Sequence, residues 1–410
     1  MATLAPDQTR LDAPSARDDS LAAARFIDRM LLNVWRSGMS PRPSLSPGAL
    51  VDHAVKAEGR APAPGDWEER LAILTRSLAE EAQLSPLGRA IAFGQIVRKI
   101  RCRIRAEEQW ERDPSILDRP VERPLVIVGQ MRSGTTRLHR LLAQDPGFIH
   151  TRAYETMIPV PTGGRLETRP LTVTANLLFL RALNPLLAAV HPTGPFQAEE
   201  EFGFHAMSIF GAQFEGQWQV PAFARHCETC DRDAVYAEFR KTLQTIATVR
   251  GEPADKPWVL KAPQFTQDMD ALHEALPDAR YLFLRRDLAQ VVGSSASLAF
   301  QQARVQSRHV DPHAVGAEWL RKTRLRHDRV DDFRARHPDI EALDVCFDEV
   351  GRDWRGQMRR IYAFLGRDLD TRVVNAMESF LGKSKAHHKH RYRLEDFGLT
   401  EERVRAAFGQ

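Results

Sequence analysis

The stretch from Leu125 to Leu142, LVIVGQMRSGTTRLHRLL, limits the possible folds of this chain more than any other. Four apolar residues in a row, three of them β-branched, suit a short strand buried on both faces. Gly129 and Gly134 then punctuate a tight turn, and an amphipathic helix follows. A strand that turns this sharply into a helix points backbone N–H groups and the positive end of the helix dipole at one place, which makes the turn an anion site.

The glycine spacing is that of a phosphate-binding loop, G-x-x-x-x-G-K-[ST], but the lysine is missing. Thr135 and Thr136 follow Gly134, and the positive charge has moved inside the turn to Arg132. Such a loop retains a cation and N–H donors while lacking the group that handles a γ-phosphate. It suits a nucleotide whose terminal group carries less charge and needs no magnesium.

Further strands are expected at Trp258 to Leu260, Tyr281 to Leu284 and Leu343 to Phe347, alternating with helical patterns. The alternation predicts an α/β fold, a P-loop-like parallel sheet flanked by helices. Ligands of such sheets lie beyond the carboxyl ends of the strands, so Gly129 to Thr136, Lys261 and Arg285 to Asp287 are the positions to watch. Before the sheet, 1–20 reads as a flexible tail and 21–118 as a helical N-terminal appendage. The sheet-bearing domain is then expected to span 119–410. Within the appendage, Phe93, Ile96, Val97, Ile100 and Ile104 share a helix with Arg98, Lys99, Arg101, Arg103 and Arg105, whose basic side is expected to be a solvated outer face.

Composition excludes some partners. Against 54 acidic residues stand 58 basic ones, a balance too mild for a nucleic-acid binder. The N-terminus shows no secretory or transit pattern. The apolar run from Leu171 to Val190 is broken by Asn176, Arg181, Asn184 and Pro185, so a buried or site-covering helix is expected there rather than a transmembrane segment. Four cysteines in 410 residues point to a reducing, cytoplasmic setting. Cys227 and Cys230 form one C-x-x-C without a second, so no metal is expected.

Arg286 leaves the third strand and Ser294 follows eight positions later on the next helix. Together with Arg132-Ser133-Gly134-Thr135-Thr136, this pair resembles the sulfotransferase family that uses 3′-phosphoadenosine 5′-phosphosulfate (PAPS). WVLKAPQF, LPDARYLFLRRD, YAFLG and HKHRYRLEDFGL are similar to the branch with many bacterial sulfotransferases and the tyrosylprotein sulfotransferases. The resemblance implies that Arg132, Ser133, Gly134, Thr135 and Thr136 cradle the 5′-phosphosulfate, and that Arg286 and Ser294 hold the 3′-phosphate. It places Lys261 near the transferring group, and through AYETMIP it makes Glu155 the general base. Leu288 departs from the family, where a proline is common. The implied reaction moves a sulfuryl group from PAPS in line to a hydroxyl, or else an amine, of a small-molecule, lipid or glycan acceptor, without a metal.

Competing candidates for the base are Glu199, Glu200, Glu201 and His205 in AEEEFGFHAMS. A three-Glu run commonly forms a solvated turn, and a single histidine on an apolar face is commonly structural. The aromatic stretch from Phe196 to Phe223 is expected to supply core and to border the acceptor. His387 to Arg391 is expected to be a basic loop closing over the nucleotide. Two other functions fit fewer residues: a P-loop kinase, which lacks its lysine, and a PAPS-binding protein without turnover.

Overall fold

The computed structural model describes residues 21–162, 166–184, 193–383 and 392–409. Its centre is one parallel sheet of β1 (Leu125–Val128), β2 (Val259–Lys261), β3 (Arg280–Arg285) and β4 (Ala342–Cys346), in the order β2-β1-β3-β4. Ile127 pairs with Lys261, Val128 with Phe283, and Arg285 with Cys346. Each strand lies within one residue of its expected position. The offset matters at Lys261, which is the last residue of its strand and follows the strand's alternation.

That alternation sends side chains to two cores. Val126, Val128, Leu260, Tyr281 and Phe283 face one, and Leu125, Ile127, Val259, Leu282 and Leu284 face the other. The second core is covered by α5 (Thr135–Leu142) and by the helices Trp354–Phe364 and Thr371–Lys383, through Leu138, Leu141, Met358, Ile361 and Met377. Lys261 continues the row of Val259 and therefore points toward α5.

The first core holds the N-terminal helices, α1 (Ala22–Arg36), α2 (Pro47–Glu58), α3 (Trp67–Glu80) and α4 (Pro86–Arg112). Sequence sets their starts. Ser46 and Ser85 each accept a backbone N–H at the N-cap, with proline at the first helical position. Leu71, Leu74, Ile96 and Ile100 belong to the same apolar cluster as Val126, Val128 and Phe283 of the sheet. The N-terminal region and the sheet therefore share one hydrophobic core.

The basic side of α4 is not the solvated face expected from its charges. Lys99 and Arg103 are buried, Arg103 pairs with Glu238 at 2.6 Å, and Arg101 and Arg105 both pair with Glu58. Partners far apart in sequence have turned a charge run into an internal lattice.

After β1 come α6 (Ala153–Met157) and α7 (Arg169–Leu183). The apolar run expected to be buried behaves differently on its two sides. Val173 and Leu183 are buried, whereas Leu171, Leu178 and Phe179 face solvent. Part of that run, 185–192, lies outside the described residues, and no described helix is long and apolar enough to cross a membrane.

Candidate functional site

Four strand ends converge on one region. The turn after β1 carries Arg132 at φ 68° and Gly134 at φ 95°, both left-handed. Glycine adopts that conformation freely, and at 134 it is required twice, because a Cβ there would also overlap the Phe347 ring. For arginine it costs about 1–3 kcal/mol, so the surroundings must hold it. They do: the Arg132 carbonyl accepts from Arg286 Nη1 at 2.6 Å, and Arg132 Nε donates to Ser294 Oγ at 3.0 Å. Ser133 Oγ donates to the Gln130 carbonyl at 2.7 Å, closing the turn from within.

The helix Leu288–Gln306 supplies Ser294. It starts at Asp287, whose carboxylate accepts the Gln290 N–H at 2.8 Å, and Leu288 occupies the position where proline also fits. Arg286 is oriented from two more sides, by Gln290 Oε1 at 3.0 Å and by the Phe347 ring 4.5 Å from its guanidinium carbon. Two arginines thus lie side by side. Burial first, and then repulsion from Arg286, pull the pKa of Arg132 below its ordinary value. Such a pair gains from any anion placed between its members.

Lys261 reaches the other side of the turn. Its Nζ donates to Thr136 Oγ1 at 3.2 Å and forms an ion pair with Glu200, while its backbone N–H donates to Glu201 Oε2 at 2.8 Å. The three-Glu run is therefore buried rather than a solvated turn, and each member has its own partner. Glu199 meets Arg140 at 3.5 Å, Glu200 meets Lys261, and Glu201 caps the end of β2. Burial pushes the Glu201 carboxyl up to about 8. A bridge between Arg152 and Ala198, with the Glu199 N–H donating to the Thr151 carbonyl at 3.0 Å, carries the run to this position.

Two residues expected in catalysis make their contacts elsewhere. Glu155 completes a capping box on α6, accepting the Arg152 N–H at 2.8 Å, and its other oxygen pairs with Arg250 at 3.2 Å. His205 stacks on Phe239 with centroids 5.0 Å apart and packs against Tyr236 and Phe265. Burial alone lowers its pKa to about 3. The aromatic stretch is mostly core, with Phe204, Phe210, Phe214, Trp218 and Phe223 buried. Cys227 and Cys230 carry free thiols, and no group of three metal-ligating side chains occurs among the described residues. His387 to Arg391 lies outside the described residues.

Phe347 and Tyr392 were missed by sequence reasoning. Phe347 directly follows β4, so the rule that ligands gather at strand ends could have found it. Tyr392 donates to the Gln290 carbonyl at 2.8 Å, and Gly293 makes room for its ring, where a Cβ would overlap it. It lies inside the HKHRYRLEDFGL segment and directly after the basic loop expected over the nucleotide, a signal that could have found it.

The site suits an anionic nucleotide. The α5 N-terminus has no side-chain cap, leaving its first N–H groups to a ligand, and Arg286 Nε is buried without a hydrogen-bond partner among the described residues.

Comparison with known proteins points the same way. A family model described as "Sulfotransferase family" matches residues 124–371. The chain is similar in structure to the sulfotransferase STF1 from Mycobacterium tuberculosis H37Rv, with a TM-score of 0.78 and 26% identity over 90% of this chain and 99% of that one. It is also similar to the sulfotransferase STF9 from Mycobacterium avium, with a TM-score of 0.80 and 23% identity over 89% and 95% of the two chains, a likeness of fold. No curated protein is a significant match.

Proposed function

The chain belongs to the sulfotransferase family, and from that premise we propose that it moves a sulfuryl group from PAPS to a hydroxyl of an acceptor. The observation that carries this reading is the meeting of Arg132, Arg286 and Ser294 at one end of the turn with Lys261 and Thr136 at the other. A nucleotide with phosphate groups at both its 3′ and 5′ positions offers charge to both ends. In this reading Arg132 to Thr136 hold the 5′ end, and Arg286 and Ser294 hold the 3′-phosphate. PAPS supplies an already activated sulfuryl group, so the protein's part is to place charge where the leaving oxygen becomes anionic.

Arg132, Lys261 and the loop N–H groups form that field. Lys261 stands between Thr136 and Glu200, so it can turn from the carboxylate to an anion in the loop. Glu200 is then released to take the acceptor proton at its carboxylate oxygen. The family resemblance nominates Glu155 for this step. The pairing of Glu155 with Arg250 favours Glu200 instead, and His205 has no polar partner among the described residues through which to act. A kinase reading gains no support, since Thr135 rather than a lysine follows Gly134 in the turn.

Nucleotide binding tests the proposal. Arg286→Ala should weaken binding of 3′-phosphoadenosine 5′-phosphate (PAP) by roughly tenfold to a hundredfold, the scale of one charge-assisted contact. Adenosine 5′-phosphosulfate, which lacks the 3′-phosphate, should bind the variant and the parent alike. Equal loss with both nucleotides, or tight binding of ATP but not PAP, would remove this assignment.

A further inference from the structure

A helix with apolar residues on every side is normally buried on every side. α7 is not. One side packs through Val173 and Leu183, while the opposite side presents Leu171, Ala175, Leu178, Phe179 and Ala182 to solvent, with Leu171 73% and Leu178 58% exposed. Thr172, also exposed, borders that row.

α1 lies beside it, joined through Leu21, Ala24 and Leu183 in one small core. It presents Phe26 and Met30 to solvent, 56% and 51% exposed. Its charges are one-sided. Arg25, Arg29 and Arg36 are exposed, as is Arg181 on α7, whereas Asp28, the one acid of α1, is turned inward to accept the Leu87 N–H at 2.6 Å. Among the described residues, neither helix exposes a carboxylate.

We infer that α1 and α7 form a docking surface for an anionic lipid membrane, with the leucine and phenylalanine side chains entering the lipid and the arginines meeting its headgroups. An apolar stripe bordered by arginine is the pattern of a helix lying in the plane of a membrane interface. The same charges argue against a second copy of this chain as occupant. A two-fold contact would set arginines near arginines, with no exposed carboxylate on either helix among the described residues and with Glu167, just before α7, already paired with Arg169. The inference rests on the surface alone and does not depend on the transfer reaction.

Sedimentation of the full chain with vesicles tests it. The protein should co-sediment with vesicles of equal parts phosphatidylglycerol and phosphatidylcholine, and weakly with phosphatidylcholine alone. Leu178→Glu with Phe179→Glu should lower the partition coefficient about tenfold or more. Arg25→Glu with Arg29→Glu should abolish the preference for anionic lipid. Thermal midpoints should stay close to that of the parent, because all four side chains are exposed. Failure of the parent chain to sediment with anionic vesicles overturns the inference. So does equal binding by the Leu178/Phe179 variant, or a concentration-dependent dimer that Leu178→Glu disperses.

Discussion

Glu199, Glu200 and Glu201 have the same side chain and three different tasks, because their partners come from α5, from β2 and from a backbone amide. In the proposed reaction, which carboxylate would take the acceptor proton is decided at this scale. Glu200→Gln should leave PAP affinity near that of the parent while kcat falls by about a hundredfold or more, the loss expected for a general base. Glu155→Gln should act differently. Removing one member of its buried pair with Arg250 should cost stability, on the order of 3 kcal/mol, with kcat of the folded fraction largely kept. Steady-state kinetics beside thermal melts separate the two effects. A folded Glu155→Gln enzyme without turnover, next to an active Glu200→Gln enzyme, would return the role to Glu155.

Between elements, one side chain ties the N-terminal helices to the segments that carry these carboxylates. Lys99 of α4 is buried, and its ammonium donates to the carbonyls of Thr156 at 3.0 Å, Met157 at 3.2 Å and Gly203 at 3.0 Å. The segments it clamps are in such close contact that a Cβ on Gly203 would overlap the Thr156 carbonyl. Burial pulls Lys99 down from 10.5 to about 8. Between those values the unfolded chain binds a proton that the folded chain lacks, so this group makes stability rise with pH across that window. Compared with Lys99→Met, the parent should gain roughly 1 kcal/mol per pH unit in the middle of the window, read from denaturant melts at pH 8 to 10. Parallel pH curves for the two proteins would contradict the assignment.

For the molecule as a whole, the shared core makes the N-terminal helices part of the fold. Leu74 and Ile100 lie in one cluster with Val126 and Phe283, and α3 and α4 pack on the helices Pro221–Thr229 and Leu288–Gln306, so a chain reduced to 119–410 would expose apolar surface of that core. That fragment should show no cooperative thermal transition, and it should bind a hydrophobic dye. A sharp melt with PAP binding intact would show that the sheet region folds alone. The structural likeness to STF1 spans 90% of the chain, more than 119–410 could account for, which fits the same view. The strands and the glycine turn were legible in the sequence because each depends on neighbours within a few residues: apolar runs and glycines that permit positive φ. Contacts over long sequence distances were not legible, since no local pattern records them. The basic side of α4 reads as a solvated face until Glu58 and Glu238 come to it, and the three-Glu run reads as a solvated turn until Arg140 and Lys261 do. Local sequence therefore determined where the glycine turn and its arginine lie, and only tertiary structure decided which carboxylate stands beside them, because the partner that orients a charge reaches it through folding rather than through chain order.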